Sequence, residues 1–148
     1  MTEKILVTGP FGQLGTELVP ELQNKYGKEN VIALGHKNIP EDYKGELEKG
    51  DVSNKDEVKK IMEKRKITIV YHLAALLSAV GEKKPDLAWD LNLIALKTMF
   101  DLCLELKVKR LFWASSMAVF GPTTPKKNVP QSTICEPVTM YGITKHSG

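Results

Sequence analysis

Three glycines, Gly9, Gly12 and Gly15, stand between an apolar run, Ile5-Leu6-Val7, and a stretch carrying Leu14, Leu18 and Leu22. The run is short and uniformly apolar, which suits a strand buried on both faces of a parallel sheet. The leucines recur at helical spacing and predict the buried face of a helix. Glycines at such a junction permit a tight turn. They also let a pyrophosphate approach backbone N–H groups at the positive end of the helix. The glycines gain weight from a second pair far along the chain, Tyr141 and Lys145. Four residues apart on a helix, a phenol and an ammonium share one face. A neighbouring ammonium favours the phenolate, which then acts as a base. A dinucleotide site together with a tunable phenol points to hydride transfer.

The rest of the sequence alternates strand and helix. Strands are expected at residues 4–8, 31–34, 67–73 and 109–115, with a brief one ending at Gly50-Asp51-Val52. Helices are expected at 12–26, from Ser53-Asn54-Lys55-Asp56 to about 66, at 85–106, and from about 139. The second of these opens on a capping-box-like sequence. Pro20 falls inside the first helix and predicts a kink. Residues 121–138 contain Pro122, Pro125, Pro130 and Pro137 and read as a loop. Such alternation builds an α/β fold: a Rossmann-type, doubly wound parallel sheet with helices on both faces. Ligands bind such sheets at the carboxyl ends of the strands. The glycine turn, Asp51, His72-Leu73-Ala74-Ala75 and Ser115-Ser116 all fall at those ends.

Length and charge narrow the partners. A chain of 148 residues has room for one domain with a substantial core. Its 21 basic and 18 acidic residues are near balance, and Lys64-Arg65-Lys66 reads as the solvent face of a helix. A nucleic-acid surface needs a denser basic patch interleaved with aromatics, so none is expected. No apolar stretch approaches the roughly 20 residues that span a bilayer, and no signal peptide is read at the start. The expected compartment is the cytoplasm, or the mitochondrial matrix after processing. Cys103 and Cys135 match no metal-binding or redox spacing, and no metal is expected.

Thr8-Gly9-x-x-Gly12-x-x-Gly15, Gly50-Asp51-Val52, His72-Leu73-Ala74-Ala75, Asn92, Ser116 and Tyr141-x-x-x-Lys145 together resemble the extended short-chain dehydrogenase/reductase family. That family includes the nucleotide-sugar epimerases and dehydratases. Ala74-Ala75-Leu76-Leu77-Ser78-Ala79, Ala88-Trp89-Asp90-Leu91-Asn92 and the segment from Val119 to Lys126 are similar to its L-threonine 3-dehydrogenases. The resemblance implies that Tyr141 is the general base, Lys145 holds the nicotinamide ribose, and Ser116 hydrogen-bonds the reacting oxygen. It implies that Gly9, Gly12, Gly15, Gln13 and Leu14 hold the pyrophosphate. Asp51 and Val52 would lie beside the adenine, with Leu73, Ala74, Ala75 and Asn92 lining or supporting the cofactor site. Ser78, Ser116 and Tyr141 would meet the substrate. The implied reaction is NAD-dependent oxidation of the L-threonine β-hydroxyl to 2-amino-3-oxobutanoate, and the implied assembly is a homodimer.

Plainer readings stand beside these. Asp51 is equally a turn residue, Asn92 a polar helix residue bonding backbone, and His72 a strand-end packing histidine. Trp89 and Trp113 read as core or interface aromatics. A sugar-nucleotide epimerase or dehydratase shares the general motifs, and a non-catalytic dinucleotide-binding module shares the glycine turn. Two departures from the family pattern stand out. The acidic residue that ends the second strand and favours NAD is replaced by Gly35, with His36 and Lys37 next to it, which leaves NADP open. Family members also continue beyond the position of Gly148 into a substrate lobe. The sequence therefore reads as residues 1–148 of a dinucleotide-binding domain without that lobe. The apolar residues Leu111, Phe112 and Trp113 are then expected at a sheet edge.

Overall fold

Five short strands, β1 (Ile5–Thr8), β2 (Val31–Gly35), β3 (Glu46–Lys49), β4 (Ile69–His72) and β5 (Arg110–Trp113), form one sheet. The computed structural model describes residues 2–148. All neighbouring strands are parallel, in the order β3-β2-β1-β4-β5. Every residue of β1 and β2 is buried, as uniformly apolar central strands require when both faces are covered. This is a Rossmann-type α/β arrangement.

Helix α1 (Gln13–Tyr26) covers one face, where Val19 and Leu22 pack with Ile5, Val7, Val31 and Ile69. By strand alternation Leu6, Ile32 and Val70 point to the other face, and all three are buried. Helix α2 (Lys55–Arg65) buries Val58, Ile61 and Met62. The inward face of α1 differs from the leucine stripe expected from sequence. Gly15, Val19 and Leu22 are buried and Leu18 half-buried, whereas Leu14 is 59% exposed at the first turn. Helix α1 continues on both sides of Pro20, although the proline withholds one N–H from the helical ladder.

The start of α2 also uses its residues differently from the expected box. Asn54 is the N-cap and accepts from the Glu57 N–H, while the Glu57 carboxylate accepts from the Asp51 N–H. The basic end of α2 is drawn into ion pairs. Lys64 and Arg65 bind Glu48, and Arg65 also binds Glu46, both glutamates lying on edge strand β3. Charging an edge strand in this way discourages further strand pairing. At the opposite edge β5 pairs with β4 alone among the described residues, and Phe112 stacks on Tyr71 while remaining 42% exposed.

The chain divides into two compact units, Met1–Ala74 with Lys97–Ala114, and Ala75–Leu96 with Ser115–Gly148. The first holds the sheet. The second contains α3 (Ser78–Gly81), α4 (Pro85–Trp89), a π turn (Asp90–Ile94), a 3-10 turn (Met117–Val119) and α6 (Met140–Ser147). The expected helix over 85–106 is α4, the π turn and then α5 (Ala95–Glu105), most of which belongs to the first unit. Within the second unit α6 packs on α3, on α4 and on the 3-10 turn.

Candidate active site

In the first unit the candidate cofactor residues are positioned mainly by backbone. Gly9 follows β1 at φ +66°, and a Cβ there would lie 2.8 Å from the Ala74 nitrogen and 2.9 Å from the Leu73 carbonyl carbon. A side chain at Gly9 would push away the chain leaving β4. Gly15 is closed by contact alone, since a Cβ would sit 2.4 Å from the Gly9 oxygen. Gly12 is different: a Cβ would meet its nearest atom, the Gly9 oxygen, at an ordinary 3.5 Å. The missing side chain there leaves room rather than preventing a clash. The Gly12 N–H closes the turn onto the Gly9 carbonyl at 3.2 Å. Gly12 caps α1 without a side-chain hydrogen bond, and the first turn holds no acidic residue. The amides around Gln13 and Leu14 therefore present an uncapped positive helix end beside an open cradle, a fit for a pyrophosphate.

The ends of β1 and β4 are locked together beneath that loop. Thr8 Oγ1 accepts from the Ala74 N–H at 3.2 Å and shares a 2.9 Å hydrogen bond with His72 Nδ1. Both side chains are buried, so His72 serves as a strand-end tie, the plainer of its possible uses. Asp51 follows β3, and its Oδ1 accepts from the Ser53 N–H at 2.8 Å, an Asx turn. Its Oδ2 faces His36 Nε2 at 3.9 Å. Val52 is buried among the core residues. Gly35 ends β2 and is buried as well.

In the second unit side chains do the positioning. Thr139 caps α6 by accepting from the Gly142 N–H at 3.0 Å, and Glu82 accepts from the Met140 N–H at 2.6 Å. Tyr141 and Lys145 follow on one face, with Lys145 Nζ 5.8 Å from the Tyr141 ring centroid. Tyr141 is half-buried and Lys145 only 6% exposed. Burial pushes the Lys145 ammonium below the ordinary lysine range, because desolvation disfavours its charged form. Ser116 caps the 3-10 turn, its Oγ accepting from the Ala118 N–H at 3.2 Å. A serine that accepts in this way still has its own O–H to donate. Ser78 is exposed at the first position of α3.

Asn92, at the π turn, ties these parts together. Its Oδ1 accepts from the Leu76 N–H at 2.7 Å, and its Nδ2 donates to the Leu76 carbonyl at 3.0 Å and to Thr144 Oγ1 at 3.2 Å. Thr144 in turn donates to the Tyr141 carbonyl at 2.9 Å. These are the bonds of a support, holding the segment after Ala75 and the helix of Tyr141 in fixed register. Three positioning residues escape the sequence reading: Thr8, Thr144 and Gly142. A Cβ at Gly142 would lie 2.2 Å from the Ala118 oxygen, so only glycine lets α6 seat on the turn that Ser116 caps. A glycine inside a helical pattern, next to the tyrosine, was the available signal.

Comparison with known proteins shows the family and the fold. Residues 5–148 match the NAD dependent epimerase/dehydratase family. An uncharacterised epimerase/dehydratase of Staphylococcus haemolyticus is 42% identical over 99% of the chain and 46% of its own length. A monomeric L-threonine 3-dehydrogenase from a metagenome, in its apo form, superposes with a TM-score of 0.91 at 47% identity, covering 97% of this chain and 46% of that one. A GalE-like L-threonine dehydrogenase from Cupriavidus necator, in its holo form, gives 0.93 at 42% identity, covering 97% and 47%. The chain thus spans about half the length of the proteins it matches. With its glycine cradle, its Ser116, Tyr141 and Lys145, and a family match over residues 5–148, the chain belongs to the NAD-dependent epimerase/dehydratase family.

Proposed function

We propose that the protein takes part in NAD-dependent oxidation of the β-hydroxyl of L-threonine, yielding 2-amino-3-oxobutanoate. The observation that carries this reading is the pairing of Tyr141 with a buried Lys145 on one face of a capped helix. The likeness to threonine dehydrogenases at 42–47% identity supports the choice of substrate. Tyr141 takes the hydroxyl proton as the β-carbon gives up a hydride. Ser116 donates its O–H to the reacting oxygen and steadies the charge that develops there. Lys145 binds the ribose. Asn92 keeps the supporting segments in register. A bound dinucleotide would supply the hydride acceptor, with Gly9, Gly12, Gly15, Gln13 and Leu14 holding its pyrophosphate, Leu73, Ala74 and Ala75 lining its site, and Asp51 and Val52 on the adenine side. Ser78 contacts the amino acid.

Turnover with L-threonine and NAD+, measured beside UDP-glucose, tests the reading. Reduction of NAD+ by threonine supports it, and loss of roughly 10²–10⁴-fold in Tyr141→Phe with dinucleotide binding intact assigns the base. Turnover of the sugar nucleotide alone would make the protein an epimerase instead. Dinucleotide binding with no turnover of either would leave a cofactor-binding module. Exposed Trp89, Ile94, Phe100 and Leu104 support pairing of two copies through the helical segment. A monomer by light scattering would remove that part.

A further inference from the structure

The end of β2 carries no acid and is packed with apolar side chains. In dinucleotide-binding sheets a carboxylate at this point bonds the adenosine 2′-hydroxyl, and it repels a 2′-phosphate. Here Gly35 is buried, and a Cβ on it would lie 2.7 Å from Ile39 Cγ1 and 3.0 Å from Phe11 Cε2. Two apolar side chains therefore fill the space an acid would use. Phe11 comes from the glycine loop itself and packs edge-on to Tyr43, ring centroids 5.1 Å apart, which fixes it there. The next two residues, His36 and Lys37, are exposed. The nearby carboxylate, Asp51, is already engaged: Oδ1 accepts from Ser53 and Oδ2 faces His36 at 3.9 Å. The Glu57 carboxylate is turned to the Asp51 N–H.

From the apolar plug of Phe11 and Ile39 at Gly35, followed by His36 and Lys37, we infer that this protein admits a 2′-phosphorylated adenine dinucleotide. Lys37 and His36 are the residues that meet the phosphate. The inference rests on the dinucleotide reading above and extends it to NADP+ as well as NAD+. A phosphate is favoured wherever a cation replaces the usual carboxylate, because hydrogen bonds between charged partners are about twice as strong as neutral ones. Gly35→Asp, the direct reversal, would collide with Ile39 and Phe11, so the test relies on the exposed positions.

NAD+, NADP+, 5′-AMP and adenosine 2′,5′-bisphosphate are titrated by calorimetry into the parent protein, Lys37→Glu and His36→Ala. NADP+ is expected to bind the parent within tenfold of NAD+ or tighter, and the bisphosphate tighter than 5′-AMP. In Lys37→Glu the ratio of NADP+ to NAD+ affinity should fall roughly tenfold or more. NADP+ binding more than tenfold weaker than NAD+ in the parent overturns the inference and leaves the dinucleotide reading standing. An unchanged ratio in both Lys37→Glu and His36→Ala overturns it too. Failure of the parent to bind either dinucleotide removes both.

Discussion

The two units of this chain hold their candidate site residues with different materials. The first relies on peptide groups: a loop in which two glycines are forced by neighbouring backbone and a third, Gly12, has room for a methyl group at ordinary contact. The second relies on side chains: Asn92, Thr139 and Thr144 hydrogen-bond the segments around Tyr141, and Ser116 caps its own turn. Backbone suits phosphate, because several N–H donors of fixed direction are needed and no proton has to move. Side chains suit proton transfer, because the donor and acceptor strengths must be adjusted by burial and by neighbours.

That contrast is broken most forcefully at the glycines. Gly15→Ala drives a methyl group into the Gly9 carbonyl and should cost about 3 kcal/mol of stability, with dinucleotide binding lost. Gly12→Ala places its methyl in ordinary contact with the Gly9 oxygen at backbone angles alanine adopts, φ −84° and ψ 177°. Its stability should change by no more than about 1 kcal/mol, while dinucleotide affinity drops roughly tenfold or more. Equal destabilisation by the two changes, measured by denaturant unfolding, would show that the loop is held by something other than close contact.

In the second unit Asn92→Ala removes three hydrogen bonds and leaves Leu76 and Thr144 groups without that partner. A loss of about 2 kcal/mol is expected, with turnover falling and dinucleotide affinity holding. The reverse pattern, affinity lost and turnover per bound dinucleotide kept, would make Asn92 a direct cofactor contact.

Lys145 offers a smaller and oppositely signed effect. Its folded pKa lies below the ordinary lysine value, so the unfolded chain binds that proton more readily. The cost of burying the charged amine is therefore present in full below the folded pKa. It is relieved as pH rises through that value toward the unfolded one. Lys145→Met should match or exceed the parent in Tm at neutral pH, with the gap closing as pH rises, and turnover should collapse. A lower Tm across the whole range would mean that the amine is a net stabiliser. The smallest test compares thiols. Burial pushes the Cys103 thiol up to about 11, whereas Cys135 is half-buried on the proline-rich loop. Cys135 should be alkylated first under native conditions, and equal rates would show that the sheet unit opens as readily as the loop unit.

Much of this was legible from residue order. The strand–glycine–helix junction, the parallel alternation and the four-residue spacing of Tyr141 and Lys145 are local patterns, and each survived in the structure. The inward face of α1 was not legible, because Leu14 sits at the loop mouth while Gly15 takes the contact with Gly9 and Pro10. The π turn at Asp90–Ile94 was hidden inside an ordinary helical pattern. Nor does sequence spacing reveal that Asn92 bonds Leu76 and Thr144, which lie 16 and 52 residues away.

What the sequence determined by itself is therefore the order of the main strands and helices and the spacing of Tyr141 and Lys145, since periodicity and turn chemistry act over a few residues. What only the tertiary structure decided is which groups are held and which are left open. Gly15 and Gly12 read alike as letters, yet a Cβ would clash with the Gly9 carbonyl at one and meet it at ordinary contact at the other. Gly35 reads as a lost acid, yet its place is taken by Phe11 and Ile39. Those distinctions depend on atoms brought close from distant parts of the chain, and steric exclusion operates only once they meet.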